Sequence, residues 1–295
     1  MNGDVRVNVA TNATVQSYRE RLPAPQLARL VSSVWIQQVA AGSPAYEHRT
    51  VPNGSAEIAC ALGADSVVLS GPRRRPTVAT LAPGTTVVGI RFRPGVASSI
   101  LGPDGPELLD LSVEVDRLWG RGAVTLAERL AEAGPPEQAA RLLEREIVQR
   151  SESAESDPLV MEAIGRLQPW RHDGVGARTA GLAISPRQLR RRFVAALGYG
   201  PKTFQRIRRF QGFLALSHLH DVDHHGLARL ARVAGYADQA HLTRECSELT
   251  GLTPRAFLEE TWESCDSNHD HEASYAGLRR RLLAAASGSL TQPAT

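Results

Sequence analysis

The chain is short of the residues that several protein classes require. Of its 295 residues only three are cysteine (Cys60, Cys246 and Cys265), too few for a disulfide framework or a four-cysteine zinc site. Its apolar runs, such as Ser66–Ser70 and Thr86–Ile90, fall far below the ~20 residues needed to span a bilayer. The stretch Met1–Ala10 carries charges and no sustained apolar segment, so no secretory signal is expected. No glycine-rich phosphate loop of the P-loop or Rossmann kind is present. A single histidine, His48, precedes residue 172, whereas a cupin-type metal site needs several that face inward. The expectation is a reduced, cytoplasmic chain with no metal and no cofactor.

What is present is ordinary for a globular protein: 42% hydrophobic and 22% charged residues, in a length that suits two domains. The net charge of +3 is unevenly spread. Residues 1–156 carry 16 Arg and 17 acidic residues, residues 157–262 carry 15 basic and 10 acidic, and residues 263–295 carry 3 and 4. Gly174 to His220 contains nine Arg or Lys and no carboxylate at all. A solvated helix face usually alternates sign, so this stretch points to a polyanionic partner.

Residues 1–122 read as short strands joined by Gly- and Pro-rich turns. Val88, Ile90 and Phe92 alternate with Gly89, Arg91 and Arg93, the period of a half-buried strand, and a small β-barrel or sandwich is expected. From Ala123 to Arg150 the period changes to about 3.6. Leu126 and Leu130 share one face, and after Gly134-Pro135-Pro136 a second stripe follows in Ala139, Leu142, Leu143 and Ile147. This helical hairpin has two places to bury its stripe: the β-rich part of the same chain, or a second copy. Ser151 to Asp157 is small, polar and acidic and reads as a linker closing the 123–156 segment. Residues 157–262 read as all-α, and 263–295 as a polar, mobile tail with one helix around 276–286. The fold class expected is a two-domain α+β protein.

One supersecondary unit occurs twice in the helical part. Ala177 to Ala183 makes a short helix of small residues, and Ser185-Pro186 supplies the cap and first turn of a second one. There Leu189, Phe193, Ala196 and Leu197 face inward while Arg187, Arg190 and Arg191 share the opposite side, until Gly198 stops the helix. About fifty residues later Leu227 to Ala234 is followed by Gly235, a capping Asp238, an inward Leu242, Cys246 and Leu249, and a terminal Gly251. A short helix, a tight turn and a second helix with an apolar back is the helix-turn-helix layout, whose second helix enters a major groove. The long amphipathic helix from Pro201 to about Leu219 separates the two units by roughly 28 Å at ~1.5 Å per residue. That approaches the ~34 Å of one duplex turn, so both second helices can enter successive grooves.

The residues Ser185-Pro186-Arg187-Gln188-Leu189-Arg190-Arg191-Arg192-Phe193 with Leu197-Gly198-Tyr199-Gly200-Pro201 resemble the first half of the AraC/XylS-type DNA-binding domain. Gly235 to Glu245 with Leu249-Thr250-Gly251-Leu252-Thr253-Pro254 resembles its second half. Val51-Pro52-Asn53-Gly54, Gly71-Pro72 and Gly89-Ile90-Arg91-Phe92 resemble the β-rich domain that precedes this module in some members. Cys246 stands where the family usually has Phe, and Asn53 where it usually has Asp. The resemblance implies a bacterial transcription regulator, with double-stranded promoter or operator DNA as its partner. RNA polymerase, a small-molecule effector and a second copy of the chain are further candidate partners; a membrane is not.

By the same resemblance the DNA contacts fall on Arg187, Arg190 and Arg191 in the first unit and on Gln239, His241, Thr243 and Arg244 in the second. The chemistry agrees: Arg pairs bidentately with guanine, Gln with adenine, and Thr meets the thymine methyl. Arg190 and Arg191 are expected on base edges, whereas base reading and phosphate holding both stay open for Arg187. Arg192 points sideways, toward a phosphate or a neighbouring helix. Two clusters have ligand-like residue types, His218-His220-His224-His225 and Cys265-x3-His269-x-His271, and are expected to be solvated polar residues. The competing function is a DNA-tethered enzyme, of alkyl-transfer repair type or with a cryptic barrel activity. It needs an activated cysteine, and none of the three sits in a zinc-binding or proline-flanked context. No catalytic residue is assigned.

Overall fold

A computed structural model describes residues 16–152, 154–167, 174–218, 226–264, 269–271, 273, 275 and 278. The first strand, β1 (Gln16–Arg21), pairs antiparallel with β2 (Val31–Val39), and β2 with β7 (Thr86–Phe92). On the other side of β7 lie β4 (Glu57–Ala61), β5 (Val68–Ser70) and β8 (Ser112–Glu114), all antiparallel to their neighbours. Strand β9 (His269–Asp270) returns from the far end of the chain to pair parallel with β1, completing a seven-stranded sheet. A separate two-stranded ribbon joins β3 (Tyr46–Thr50) to β6 (Thr77–Leu81).

This sheet is open, which corrects the barrel or sandwich expected from the strand pattern. Closure is unnecessary because helices cover the sheet instead. Short helices α1 (Ala97–Leu101), α2 (Gly105–Leu108) and α3 (Asp116–Trp119) lead into the hairpin of α4 (Arg121–Ala131) and α5 (Pro136–Arg150). The hairpin's apolar stripe lies on the sheet of its own chain. Val88, Ile90 and Phe92 of β7 share one buried cluster with Leu126, Leu130, Ala139, Leu143 and Ile147. Of the two burials open to that stripe, the intramolecular one is taken. Glu144 of α5, itself buried, ties the hairpin to the strand edge through both guanidinium nitrogens of Arg21 (2.7 and 3.1 Å) and the Ala24 amide (2.8 Å).

The helical half runs through α6 (Pro158–Arg166), α7 (Val175–Thr179), α8 (Pro186–Leu197), α9 (Pro201–Ser217), α10 (Leu227–Val233), α11 (Gln239–Thr250) and α12 (Pro254–Ser264). Phe193, Phe204, Phe210 and Phe213 are fully buried at its centre, with Phe193 and Phe204 edge to face at 5.8 Å. At roughly 1.5–3 kcal/mol for each large apolar side chain buried, this cluster dominates the packing of the helical half.

The two halves touch closely. A Cβ added at Gly105 in α2 would lie 2.3 Å from the Gly198 backbone nitrogen at the end of α8. One added at Gly198 would lie 2.6 Å from the Gly105 carbonyl oxygen. Gly198 also needs its left-handed φ of 80° to end α8. Elsewhere Gln211 of α9 donates to the Pro52 carbonyl (2.9 Å). Arg49 of β3 reaches both Glu260 carboxylate oxygens (2.7 and 3.1 Å) and the Thr250 carbonyl at the end of α11 (3.2 Å). The described part of the expected polar tail also packs: the His271 ring stacks on Tyr18 at 4.8 Å, and Leu278 is buried in the helical core. The helix expected around 276–286 falls almost wholly outside the described residues.

Gly105→Ala should therefore force backbone apart rather than a side-chain tip. The expected loss is about 1–3 kcal/mol in urea unfolding of the full chain, the cost of overpacking a tight contact. Gly42→Ala, where an added Cβ meets nothing within 4 Å, should leave the midpoint unchanged.

Candidate nucleic-acid interface

The first reading helix, α8, is built by local chemistry. Ser185 caps it in an extended conformation (φ −69°, ψ 156°). Its hydroxyl accepts from the Gln188 amide at 3.3 Å, and the Gln188 side chain accepts from the Ser185 amide at 2.9 Å. Leu189, Phe193 and Leu197 bury the back of the helix. Arg187, Arg190 and Arg191 stand exposed on the front, and none forms an ion pair among the described residues. Arg192, one step round, is bound elsewhere: its Nη1 donates to Asp157 at 2.6 Å. The same Asp157 caps α6 by accepting from the Leu159 and Val160 amides.

The second reading helix, α11, is capped by Asp238, which accepts from the His241 amide at 2.7 Å, and is ended by Gly251 at φ 80°. Leu242, Cys246 and Leu249 are buried as the spacing predicts. Gln239 and Arg244 are exposed, and Arg244 forms no ion pair among the described residues. Thr243 is half-buried and its hydroxyl donates to the Gln239 carbonyl at 2.9 Å. His241 is occupied within the domain. Its Nε2 lies 3.2 Å from Arg209 Nη1 and 3.4 Å from Glu245 Oε1, and its ring stands edge-on to Tyr236 at 5.2 Å.

That network answers a question the charge pattern raised. The basic stretch holds no carboxylate of its own, but the fold brings some to it. Arg206 pairs with Glu248 (2.5 Å) and lies 3.8 Å from Glu245, Arg209 lies 3.6 Å from Glu245, and Arg192 pairs with Asp157. Arg206 and Arg209 therefore fasten α9 to α11 and set the angle of the second reading helix. Sequence inspection missed this role, although Glu245 and Glu248 at helical spacing were its available signal. The cations of the stretch left without a carboxylate include Arg187, Arg190, Arg191, Lys202 and Arg208.

Both departures from the family pattern have visible consequences. Asn53 keeps the turn, accepting from the Ser55 amide at 2.8 Å, and donates its side-chain amide to Glu57 at 2.7 Å. An aspartate there would face Glu57 with like charge. Cys246 is fully buried and its thiol is pushed up to about 11 by burial. Cys60 is buried in β4 and burial likewise pushes it up to about 11. The two histidine-bearing clusters meet in part: His218 and His271 rings lie 5.3 Å apart with Tyr275 beside both. His220, His224, His225 and Cys265 lie outside the described residues, as does the side chain of His269. Among the described residues no three His, Cys, Asp or Glu side chains gather to hold a metal, and no helix is long and apolar enough to cross a membrane.

Two capped helix-turn-helix units carrying unpaired arginine on an exposed face define a DNA-binding protein that reads with two helices. Comparison with known families agrees. Residues 179–260 match the model of a helix-turn-helix domain, and residues 19–114 match a domain of unknown function, DUF6597. The chain is a DNA-binding transcription regulator of the AraC type. No curated protein sequence matches it. Among solved structures it is similar to ToxT from Vibrio cholerae O395, at 11% identity and a TM-score of 0.42 over 82% of this chain and 97% of that one. Two further ToxT structures are similar. One is bound to (E)-4-(8-methylnaphthalen-1-yl)but-3-enoic acid, at 11% identity, TM-score 0.44, 82% and 98% coverage. The other is bound to an unsaturated fatty acid, at 12% identity, TM-score 0.40, 82% and 94% coverage. A likeness this distant says nothing about what the present chain binds.

The Asp157–Arg192 pair yields a pH test. Burial works against the Asp157 carboxylate, but Arg192 and the two capping amides outweigh it and hold the group below its ordinary 3.8. A depressed folded value means the stabilisation is complete above that ordinary value and is lost as pH falls through the folded one. Asp157→Asn should lower the urea midpoint at neutral pH and flatten its fall on acidification. An acid limb identical to wild type would show that the pair contributes nothing.

Proposed function

We propose that the regulator reads its operator chiefly through α8, with Arg190 and Arg191 on base edges, and with Arg187 holding either a base or a phosphate. The observation that carries this is the exposed arginine face of a helix capped at both ends, with no carboxylate within reach. Unpaired guanidinium groups on a rigid element are already oriented for guanine, at little further entropic cost. Gln239, Thr243 and Arg244 read from α11, whose pull is weaker because Glu245 and Glu248 share its surface. His241 orients that helix through Arg209 and reaches DNA only by giving up the contact. Arg192 likewise meets a phosphate only at the expense of Asp157.

The proposed organisation is a β-rich regulatory part over 1–122, a hairpin and linker over 123–156, a DNA-binding part over 157–262 and a tail over 263–295. The regulatory part responds to a small molecule and does not catalyse. The buried, raised thiols of Cys60 and Cys246 speak against an alkyl-transfer nucleophile, which needs an accessible thiolate. The hairpin stripe, spent on its own sheet, is not the contact by which two copies would join.

Binding titrations of the full chain on its operator and on a scrambled duplex, at several salt concentrations, test the readers. Arg190→Ala and Arg191→Ala should each cost about 1–3 kcal/mol on the operator and relax the preference at one base pair. Gln239→Ala should change specificity with little change in salt dependence. Equal losses on both duplexes for the two arginine variants would reduce them to phosphate contacts and remove the base-reader assignment.

A further inference from the structure

A cavity of about 640 Å³ lies between the sheet face turned away from the hairpin and the helices α6, α9 and α12. That volume falls within the ~300–1,000 Å³ usual for small-molecule sites. Trp35 and Tyr46 from the strands and Met161, Ile164, Leu214 and Phe257 from the helices supply apolar wall. The charges around it are nearly balanced in pairs. Arg91 on β7 is held by Glu20 and Glu57, each at 2.7 Å, and Arg49 by Glu260 at 2.7 Å. Burial pushes His48 down, so at neutral pH it adds no charge.

Arg208 breaks the balance. It lies on α9, between the two reading units, and lines the cavity half-buried with no hydrogen bond and no ion pair among the described residues. Burial pulls its guanidinium down to about 10, which leaves it charged at neutral pH but poorly solvated. Arg93, exposed at the lining, spends its Nε on the Ala28 carbonyl and has no carboxylate either. Each carboxylate of the lining, Glu57 and Glu260, is already taken by an arginine. An unpaired cation against an apolar wall is expensive to keep unless something pairs with it.

We infer that this cavity binds a small organic anion with an apolar body, such as a carboxylate, and that Arg208 is the group that receives its charge. The inference rests on the reading that the β-rich part responds to a small molecule, and it places that response at the seam between the two halves. One charged end and a carbon body match what the lining offers. A polyphosphate does not, because one deep guanidinium cannot neutralise it. Occupancy would fill the gap beside α9, the helix that carries one reading unit at each end.

The test uses the full chain and 8-anilino-1-naphthalenesulfonate, a fluorescent aromatic anion, as probe, with 4-phenylbutyrate and its neutral counterpart 4-phenylbutanol as competitors. Saturable one-to-one binding is expected, displaced by phenylbutyrate at least tenfold more effectively than by phenylbutanol. Arg208→Met should weaken both anions at least tenfold, while Arg208→Lys retains part of the affinity. The Met variant removes an unpaired charge and should melt no lower than wild type, so a loss of binding is not a loss of fold. Undiminished binding by a folded Arg208→Met variant, or equal competition by phenylbutanol, would overturn the inference. Operator titration with and without saturating phenylbutyrate separates the two readings. Binding through Arg208 with no change in operator affinity supports the site and counts against the small-molecule response, whereas loss of Arg208 dependence removes the site whatever the DNA does.

Discussion

Strand β7 has to satisfy two unlike surroundings at once, and the rest of the molecule is arranged around that requirement. Its even positions, Val88, Ile90 and Phe92, are sealed beneath the α4–α5 hairpin. Its odd positions face the helical half. Gly89 lies under the indole of Trp35, so close that a Cβ there would sit 2.3 Å from the ring. Arg91 anchors Glu20, Glu57 and the Tyr18 hydroxyl in one polar cluster. An arginine buried on a sheet face is tolerable only because two carboxylates meet it. Removing either would leave a charge stranded against the cavity floor. Both faces of the sheet thus need covers, one apolar and one polar, and the chain supplies them from different domains.

The polar cover is the DNA-binding half, and it is held at its two reading units by different physics. At the first unit, α2 meets the end of α8 backbone to backbone through Gly105 and Gly198, a contact that tolerates almost no displacement. At the second, Arg49 reaches from the β3–β6 ribbon to Glu260 and the last carbonyl of α11, through long side chains and charge-assisted hydrogen bonds. A close-packed contact is bistable at best, whereas an ion pair can lengthen, rotate and re-form. The arrangement makes the first reading helix a fixed extension of the β-rich domain and the second the more adjustable one. The cavity lies beside α9, the element that joins them, so a change of its contents bears on the relation between the readers.

Much of the reading surface was legible in the sequence because its signals are local. Ser185 with Pro186 and Gln188 at one end, and Gly198 at the other, bound α8 within one residue of expectation. Asp238 and Gly251 do the same for α11. The exposed Arg187, Arg190 and Arg191 follow from a spacing of three and four once the apolar back is placed. His241 was legible as a surface position but not as a bound one, since Arg209 comes from another helix. The open sheet escaped for a similar reason. Alternation shows that a strand has two different faces, but not whether a second sheet, a hairpin or another domain will cover each.

The sequence by itself therefore determined the two capped helix-turn-helix units, the amphipathic hairpin and the alternating strand beneath it. Each depends on interactions within a few residues of chain, where cap chemistry and periodicity decide the outcome. Only the tertiary structure decided where the hairpin stripe goes, that the sheet stays open, and that Arg192, Arg206 and Arg209 are paired while Arg208 is not. Those outcomes turn on partners tens or hundreds of residues away, as with Arg49 and Glu260. A charge run shows how many cations there are. Which of them find a carboxylate is settled by folding, because Coulomb attraction over a few ångströms depends on position in space and not on distance along the chain.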